Sequence, residues 1–372
     1  MKYYIIAGEA SGDLHGSNLM KGLKMVDPNP EFRFWGGDLM QEQGGTLVKH
    51  YRETAIMGFV EVLANIRTIK SFFTLCKQDI LDFNPDVVIL IDYPGFNLRM
   101  AEFVKSAGYK VFYYISPKIW AWKESRIKKI KAFVDKMFVI FPFEVDYFKK
   151  FDYPVDFDGN PLLDAVNEKL IEKNSIDEFI QKNSLENKPI IGVLAGSRKQ
   201  EIDRNLEIML KIIPKFAKYQ FVVAAAPSIE PEFYNKYIQG HHVKVVFKQT
   251  YDTLKFSTAA LVTSGTATLE TALFNVPQVV CYRAGNLSYY IAKRFVKVKY
   301  ISLVNLIMNR EVVKELIQFD MTQENVSSEL DKILHHTGYR EKMLKDYTNL
   351  QEILGGTGAS ERVAKRVYSY LV

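Results

Sequence analysis

Short, uniformly apolar runs alternate with helix-like segments along most of this chain, and this alternation limits its fold more than any other feature. In the first half the runs are "YYIIAG", "FRFWGG", "DVVILID", "KVFYYIS" and "KMFVIFP". In the second half they are "IIGVLAGS", "QFVVAAA", "VKVVF", "AALVTSG" and "QVVCYR". Strands of this composition belong to parallel sheets that are covered on both faces. Their alternation with helices predicts doubly wound α/β units.

The two halves open on similar phrases, "YYIIAGEASGD" and "PIIGVLAGSRKQE", the second after the polar stretch "EKNSIDEFIQKNSLENKP". A length of 372 residues also suits about two domains. We therefore predict two Rossmann-like domains that face a cleft, over residues 1–166 and 167–345. Residues 346–372 are expected to form a C-terminal helix, packed on the N-terminal domain or on a dimer partner. Ligands of such sheets bind beyond the carboxyl ends of the strands.

The composition excludes several classes of protein. Hydrophobic residues make up 48% and charged residues 25%, which is unlike a disordered chain. Cys76 and Cys281 lie in apolar segments without a Cys/His cluster, which argues against disulfides or structural zinc and favours a reducing, cytoplasmic setting. "YYIIAG" is too short for a signal-peptide core, and no apolar run reaches the roughly 18 residues of a spanning helix. The net charge of +6 suggests an anionic partner: phosphate, nucleic acid or an acidic membrane surface.

Asp92 is the first candidate catalytic residue. In "VVILIDYPGFN" it follows an apolar strand, so the sheet delivers a carboxylate at its carboxyl end, where acids often serve as bases. The alternative is an N-cap or turn aspartate ahead of Pro94.

Two phrases of the second half predict a diphosphate site. In "TSGTATLE", Ser264, Gly265 and Thr266 open a helix whose N-terminus favours phosphate oxygens, and Glu270 one turn later suits the hydroxyls of a ribose or simply the helix dipole. In "LAGSRKQE", the pair Gly196 and Ser197 allows close backbone approach. The next residue, Arg198, offers a bidentate cation unless the segment is only a tight turn. The dinucleotide fingerprint and the Walker A motif are absent, which argues against redox cofactors and P-loop chemistry.

Two further segments have an interfacial character. "SPKIWAWKESRIKKIKAF" sets Trp120 and Trp122 among basic residues, which fits nucleic acid, a solvated amphipathic helix or a lipid–water boundary. "AIMGFVEVLANIRTIKSFF", which contains Met57, is apolar enough for a core helix or for contact with acyl chains.

Assembled in order, these phrases resemble the lipid-A-disaccharide synthase family, inverting glycosyltransferases of the two-Rossmann (GT-B) type. The matching phrases are "AGEASGD", "IMGFVEVL", "IDYPGFNLR", "YISPKIWAW", "FPFE", "GSRKQEI", "SGTATLE" and "YISLVNLI", which span residues 7 to 307. The resemblance implies transfer of diacylglucosamine from UDP to the 6-hydroxyl of diacylglucosamine 1-phosphate, without metal or cofactor. It also implies a peripheral protein of the cytoplasmic face of the inner membrane, often a dimer, that does not bind nucleic acid.

The resemblance also implies residue roles. Asp92 would be the general base, and Glu9 would orient the acceptor sugar or share that duty. Arg198 and the start of the "SGTAT" helix would stabilise the UDP leaving group. Glu270 would hold the ribose. Asn305 in "SLVNL" would lie near the nucleotide, contributed from within the chain or across a dimer. The acceptor or membrane side would include four further residues: Ser11, Met57, Trp120 and Trp122.

Three positions depart from the family pattern. Gly95 stands where a second acid is common, which leaves Asp92 as the carboxylate of its loop. Asn160 replaces a usual histidine, and Ala195 replaces the proline before "GSR". Two rival functions remain at this stage. One is a UDP-N-acetylglucosamine 2-epimerase or another GT-B transferase, which shares the fold. The other is a basic, non-enzymatic protein that binds membrane surfaces or polyanions.

Overall fold

The computed structural model describes residues 1–54, 66–285 and 299–372. These residues divide into two compact units. Unit 1 contains Met1–Asp164 and Leu354–Val372, and unit 2 contains Ala165–Ile353. Met57 and the rest of the phrase "IMGFVEVL" lie outside the described residues.

The described part of unit 1 is built on seven strands: β1 (Lys2–Ala7), β2 (Glu31–Gly36), β3 (Thr46–His50), β4 (Val87–Ile91), β5 (Lys110–Tyr114), β6 (Lys136–Val139) and β7 (Asp156–Phe157). All pair in parallel, in the order β3-β2-β1-β4-β5-β6-β7. Every residue of β4 is fully buried, because this Val/Ile/Leu strand lies in the middle of a sheet covered on both sides.

The helices of unit 1 cover both faces of that sheet. They are α1 (Ala10–Val26), α2 (Asp38–Glu42), α3 (Tyr51–Thr54), α4 (Ile66–Phe83), α5 (Pro94–Ser106), α6 (Ile127–Phe133), α7 (Pro142–Lys149) and α17 (Ala359–Ser369), with a 3₁₀ turn at Glu124–Arg126. Alternate residues of β1 enter separate apolar clusters: Tyr3 and Ile5 pack on one face, and Tyr4 and Ile6 on the other. This two-sided packing is the doubly wound arrangement that the apolar runs predict.

Unit 2 repeats the plan with strands β8 (Ile190–Leu194), β9 (Gln220–Ala225), β10 (Val243–Phe247), β11 (Ser257–Thr263), β12 (Gln278–Tyr282) and β13 (Lys314–Ile317). They pair in parallel in the order β10-β9-β8-β11-β12-β13. Its helices are α9 (Ile176–Asn183), α10 (Lys199–Leu210), α11 (Glu232–Ile238), α12 (Thr250–Lys255), α13 (Thr266–Leu273), α14 (Leu303–Met308), α15 (Gln323–His335) and α16 (Thr337–Ile353), with a 3₁₀ turn at Ile213–Phe216. Helix α8 (Leu162–Ile171) spans the boundary between the units.

All ten strands predicted from the apolar runs are confirmed, within three residues at their ends. The prediction misses three strands: β3, β7 and β13. Each lies at an edge of its sheet and is only partly buried. Because such strands need not be apolar on both faces, hydrophobic runs do not reveal them.

The C-terminal segment Leu354–Val372 belongs to unit 1. Its helix α17 lies so close to α1 that a Cβ at Gly22 would come within 2.8 Å of the Ala364 Cβ. The Asp164 carboxylate anchors the start of α17 by accepting the backbone N–H groups of Gly358 and Ser360 at 2.6 and 2.9 Å. The chain thus leaves unit 1 and returns to it at points joined by this carboxylate.

Candidate active site

Asp92 lies at the carboxyl end of β4, in a strained turn. Asp92 and Tyr93 are both left-handed, with φ of 43° and 48°, and Ile115 at the end of the neighbouring β5 has φ of 64°. Left-handed backbone is costly for residues with a Cβ, about 1–3 kcal/mol each, and most so for β-branched ones. Strain of this kind persists where surrounding contacts impose it, which occurs often at functional sites.

The backbone of Asp92 is held by two buried side chains. Its carbonyl oxygen accepts hydrogen bonds from the Tyr113 hydroxyl at 2.5 Å and from the Asn97 amide at 2.8 Å. Asn97 also donates to the carbonyl of Ile91 at 3.1 Å. Both Tyr113 and Asn97 are fully buried. Neither residue is among the site residues predicted from the sequence. Asn97 lies near the start of α5, five positions after Asp92.

The environment of the Asp92 carboxyl group makes it a suitable base. Its pKa is raised to about 6, chiefly by burial and to a smaller extent by the negative charge of Glu9. The positive charge of Lys118 and the N–H of Tyr93 oppose that rise. A carboxylate with a pKa near 6 is ionised at neutral pH yet binds a proton more readily than an ordinary aspartate. Lys118 was not singled out as a site residue from the sequence.

The glycine-rich phrase "GEASGD" is a packing motif in this structure. A Cβ at Gly8 would overlap the ring of Tyr93, so this position accepts only glycine without displacing that ring. Gly12 and Gly16 lie inside α1, where a Cβ would meet Ala7 at 3.1 Å and the Met40 sulfur at 2.6 Å. The glycines therefore bring α1 and the Asp92 loop close to the sheet.

The polar residues of the same phrase divide into exposed and structural ones. Glu9 and Ser11 are exposed at the start of α1. Asp13 is buried, and its carboxylate accepts the N–H groups of Gly37, Leu39 and Met40 at 2.7–3.1 Å, which caps α2. Glu9 and Ser11 remain the candidates for contact with a ligand.

Trp120 is anchored in unit 1 by Glu144. The indole N–H donates to the Glu144 carboxylate at 3.2 Å, and Ser116 and the N–H groups of Ile140 and Phe141 also donate to it. Glu144 is 1% exposed, and burial raises its pKa to about 7 against the opposing effect of these hydrogen bonds. The geometry gives Trp120 a clear structural role.

Trp122 has a different setting, because its side chain is 51% exposed. Two cations lie over the indole ring: the Lys123 Nζ is 4.2 Å and the Arg126 guanidinium carbon 5.5 Å from its centroid. The following helix α6 buries Ile127 and Ile130, as the amphipathic pattern predicts. An exposed indole with basic neighbours is typical of a lipid–water boundary.

In unit 2 the phrase "GSRKQE" contains the end of the turn after β8 and the first turn of α10. Gly196 has φ of 126°, and a Cβ there would come within 2.6 Å of the Glu201 Cβ. The Glu201 carboxylate accepts the N–H of Ser197 at 2.9 Å and faces the Arg198 guanidinium at 3.3 Å. Arg198 is 81% exposed. Glu201, an acid at the third position of the helix, orients this loop and was missed from the sequence.

Ser264, Gly265 and Thr266 follow β11, the strand beside β8, and open the eight-residue helix α13. The Ser264 hydroxyl donates to the carbonyl of Ile301 at 2.8 Å, whereas Gly265 and Thr266 are exposed. Since the first N–H groups of a helix have no partner within it, this turn can receive anionic oxygens. The two phrases of the predicted diphosphate site therefore lie on adjacent strand ends.

Glu270 lies one turn into α13 and is half-buried. The Tyr251 hydroxyl donates to one of its oxygens at 2.8 Å. Burial raises the pKa of Glu270, and the bond from Tyr251 opposes that rise. Tyr251 thereby fixes the carboxylate, and no other hydrogen bond to it is found in the described residues.

Asn305 is fully buried, and its amide makes four hydrogen bonds inside unit 2. The nitrogen donates to Val313 and Glu315 at 2.8 and 2.9 Å, and the oxygen accepts from the N–H groups of Val312 and Val313. An amide has capacity for about four such bonds, so this one is saturated. In this structure the Asn305 side chain secures the turn between α14 and β13, and its amide has no free capacity for a ligand.

The described residues contain no group of three or more His, Cys, Asp or Glu side chains placed to hold a metal ion. Over the same ranges, none of the helices combines the length and apolar character needed to cross a membrane.

Two Rossmann-like units with parallel sheets define the GT-B class of protein. The fold is similar to a solved UDP-GlcNAc 2-epimerase from Neisseria meningitidis bound to UDP-GlcNAc, with a TM-score of 0.72 and 14% identity over 99% of this chain and 100% of that one. A likeness at this identity concerns the fold alone.

The sequence comparisons identify the family. The family model for lipid-A-disaccharide synthetase matches residues 3–366. The lipid-A-disaccharide synthase of Trichlorobacter lovleyi is 37% identical over 98% of this chain and 96% of its own length. That of Geobacter metallireducens is 38% identical, over 99% and 96% respectively. The chain belongs to the lipid-A-disaccharide synthetase family, which is a family of glycosyltransferases.

Proposed function

We propose that this protein transfers diacylglucosamine from UDP to the 6-hydroxyl of a diacylglucosamine 1-phosphate, with inversion at the anomeric carbon. Membership of the family supports the reaction type and the two substrate classes. The observation that carries the proposal is Asp92, a half-buried carboxylate in a strained strand-end turn with a pKa near 6.

Asp92 acts as the general base in this proposal. It takes the proton of the acceptor hydroxyl as the oxygen attacks the anomeric carbon from the face opposite UDP. Tyr113 and Asn97 hold its backbone, and the positive charge of Lys118 lowers its pKa, which favours the ionised form. Glu9, exposed at the same end of the sheet, orients the acceptor sugar and shifts the pKa of Asp92 through its charge.

Unit 2 binds the UDP group in this proposal. Arg198, oriented by Glu201, and the N-terminus of α13 at Gly265 and Thr266 stabilise the negative charge that develops on the leaving diphosphate. Glu270 accepts hydrogen bonds from the ribose hydroxyls while Tyr251 holds it in place. We assign Asn305 a positioning role, because its amide is saturated within unit 2.

We also propose that the protein associates with the cytoplasmic face of the inner membrane through Trp122. The exposed indole and its basic neighbours Lys123 and Arg126 support this. In vesicle sedimentation, Trp122→Ala is expected to weaken binding to vesicles containing an anionic phospholipid. The matched control Tyr109→Ala removes a half-buried aromatic that directly precedes β5, whereas Trp122 follows that strand, and it is expected to leave binding unchanged. Equal binding by Trp122→Ala and the wild type would refute this surface.

The reaction is tested with purified protein, UDP-diacylglucosamine and diacylglucosamine 1-phosphate in detergent. The expected products are UDP and a β-1,6-linked disaccharide phosphate, identified by mass spectrometry and by the coupling constant of the new anomeric proton. UDP-N-acetylglucosamine alone serves as a second substrate. Epimerisation at its C2 together with no disaccharide would establish the epimerase alternative and overturn the proposal.

A further inference from the structure

Arg283 lies at the strand-end edge of unit 2 that carries the proposed diphosphate site. It follows β12, which pairs with β11 in the register Thr263 to Cys281. Arg283 is therefore level with Gly265, the residue that precedes α13. Since β11 separates β8 from β12, the ends of the latter two strands lie about 10 Å apart. Arg198 follows one of them and Arg283 the other.

The backbone on both sides of Arg283 is fixed by buried amides. The Arg283 N–H donates to the Asn205 side-chain oxygen at 2.9 Å, and Asn205 donates in turn to the Thr263 hydroxyl at 3.3 Å. The Gln318 amide pairs with the N–H and carbonyl of Ala284 at 3.0 and 3.2 Å. Asn205 and Gln318 are 0% and 1% exposed. The residue thus has a rigid backbone although its side chain is in solvent.

Asn205 belongs to α10, the helix that begins directly after Arg198. One buried amide therefore connects the helix of the "GSR" loop to the ends of β11 and β12. In the described part of the chain, the exposed Arg283 side chain forms no ion pair. Glu201, the acid of the "GSR" loop, already faces the Arg198 guanidinium.

We propose that Arg283 is a second arginine for the diphosphate of the sugar nucleotide, acting from the strand end opposite Arg198. This inference rests on the proposed function of unit 2. A guanidinium group binds phosphate oxygens in a bidentate manner, and a fixed backbone lowers the entropy lost on binding. Two arginines on either side of the α13 N-terminus match a ligand with two linked phosphates.

Calorimetry with UDP, UMP and uridine on the full-length protein tests the proposal. Arg283→Gln is expected to weaken UDP binding about 10- to 100-fold, because a charge-assisted hydrogen bond is lost. Its affinity for uridine should stay within about twofold of that of the wild type. Arg283→Lys keeps the positive charge but lacks the planar guanidinium that binds two oxygens at once. Its affinity for UDP is therefore expected to lie between those of the wild type and Arg283→Gln. Lys244→Gln, a change of the same charge on the edge strand β10, is the matched control and should bind like the wild type.

The outcomes separate the two proposals. Wild-type protein that binds no UDP would overturn the proposed function and this inference together. UDP binding by Arg283→Gln within twofold of the wild type would overturn the inference alone. An equal loss of UDP and uridine would do the same, because it would show that the residue maintains the local structure. If Arg283→Gln melts well below the wild type, the comparison of UDP with uridine in Arg283→Lys decides between these results.

Discussion

The ring of Tyr93 occupies the space that a side chain at position 8 would need. Gly8 follows β1 and Tyr93 follows Asp92 at the end of β4, so this contact joins the glycine-rich phrase to the Asp92 loop. A side chain at position 8 would therefore displace Tyr93 and, with it, the neighbouring Asp92.

Gly8→Ala is expected to lower kcat about 10- to 100-fold with little effect on UDP affinity, because the displaced ring moves the neighbouring base. In a Tyr93→Ala protein, Gly8→Ala should lower kcat by less than about threefold, because the ring that it would displace is absent. The checks are steady-state kinetics and UDP calorimetry. Gly95→Ala is the control, because a Cβ there meets nothing within 4 Å. An undiminished effect of Gly8→Ala in the Tyr93→Ala protein would contradict this account.

The pH dependence of kcat/KM should follow the protonation of Asp92. Its pKa is raised to about 6, so activity is expected to rise with pH through that value as the base ionises. Lys118→Met removes a charge that lowers this pKa and should move the rise to higher pH. Glu9→Gln removes one that raises it and should move the rise to lower pH. Shifts of both variants in one direction would refute the assignment.

Glu270 is predicted to recognise the ribose. Glu270→Gln should weaken UDP binding about tenfold, because the hydroxyls lose a charged acceptor. The variant and the wild type should bind 2′,3′-dideoxy-UDP equally, since that ligand lacks both hydroxyls. Calorimetry with the two ligands makes the comparison. An equal loss for both ligands would instead point to a general disturbance of α13.

Glu144 is predicted to stabilise unit 1. Glu144→Ala should lower the free energy of unfolding by about 2–4 kcal/mol, because four donors lose their acceptor. Folding raises the pKa of Glu144 from 4.5 to about 7, so the folded protein binds this proton more tightly. The contribution of Glu144 to the free energy of unfolding is therefore greatest below about pH 4.5 and falls as the pH rises towards 7.

Denaturant unfolding between pH 4.5 and 7.5 measures this difference. Asp146→Ala, an exposed acid on the same helix, is the control and should stay within about 0.5 kcal/mol of the wild type. A difference between the wild type and Glu144→Ala that grows with pH would contradict the sign of this prediction.

The sequence predicts the part of the architecture that depends on local apolar pattern. The buried strands are recognisable in the sequence as runs rich in Val and Ile, and Asp92 is recognisable as the polar residue that ends such a run. The family resemblance then supplies an assignment for each strand-end phrase.

What the sequence could not reveal depends on contacts between distant residues. The packing of Tyr93 on Gly8 spans 85 positions, and the four bonds that saturate Asn305 depend on the path of β13. The same holds for Glu144, whose carboxylate accepts the indole N–H of Trp120 from 24 positions away. Neither propensity nor spacing encodes such pairings.

The most direct test of the central claim compares Asp92→Asn with the wild type in the disaccharide assay at pH 7.5. Loss of the base should lower kcat at least 100-fold, while calorimetry shows UDP binding within twofold of the wild type. That result would establish Asp92 as a residue of the chemical step. Turnover within threefold of the wild type would contradict the account.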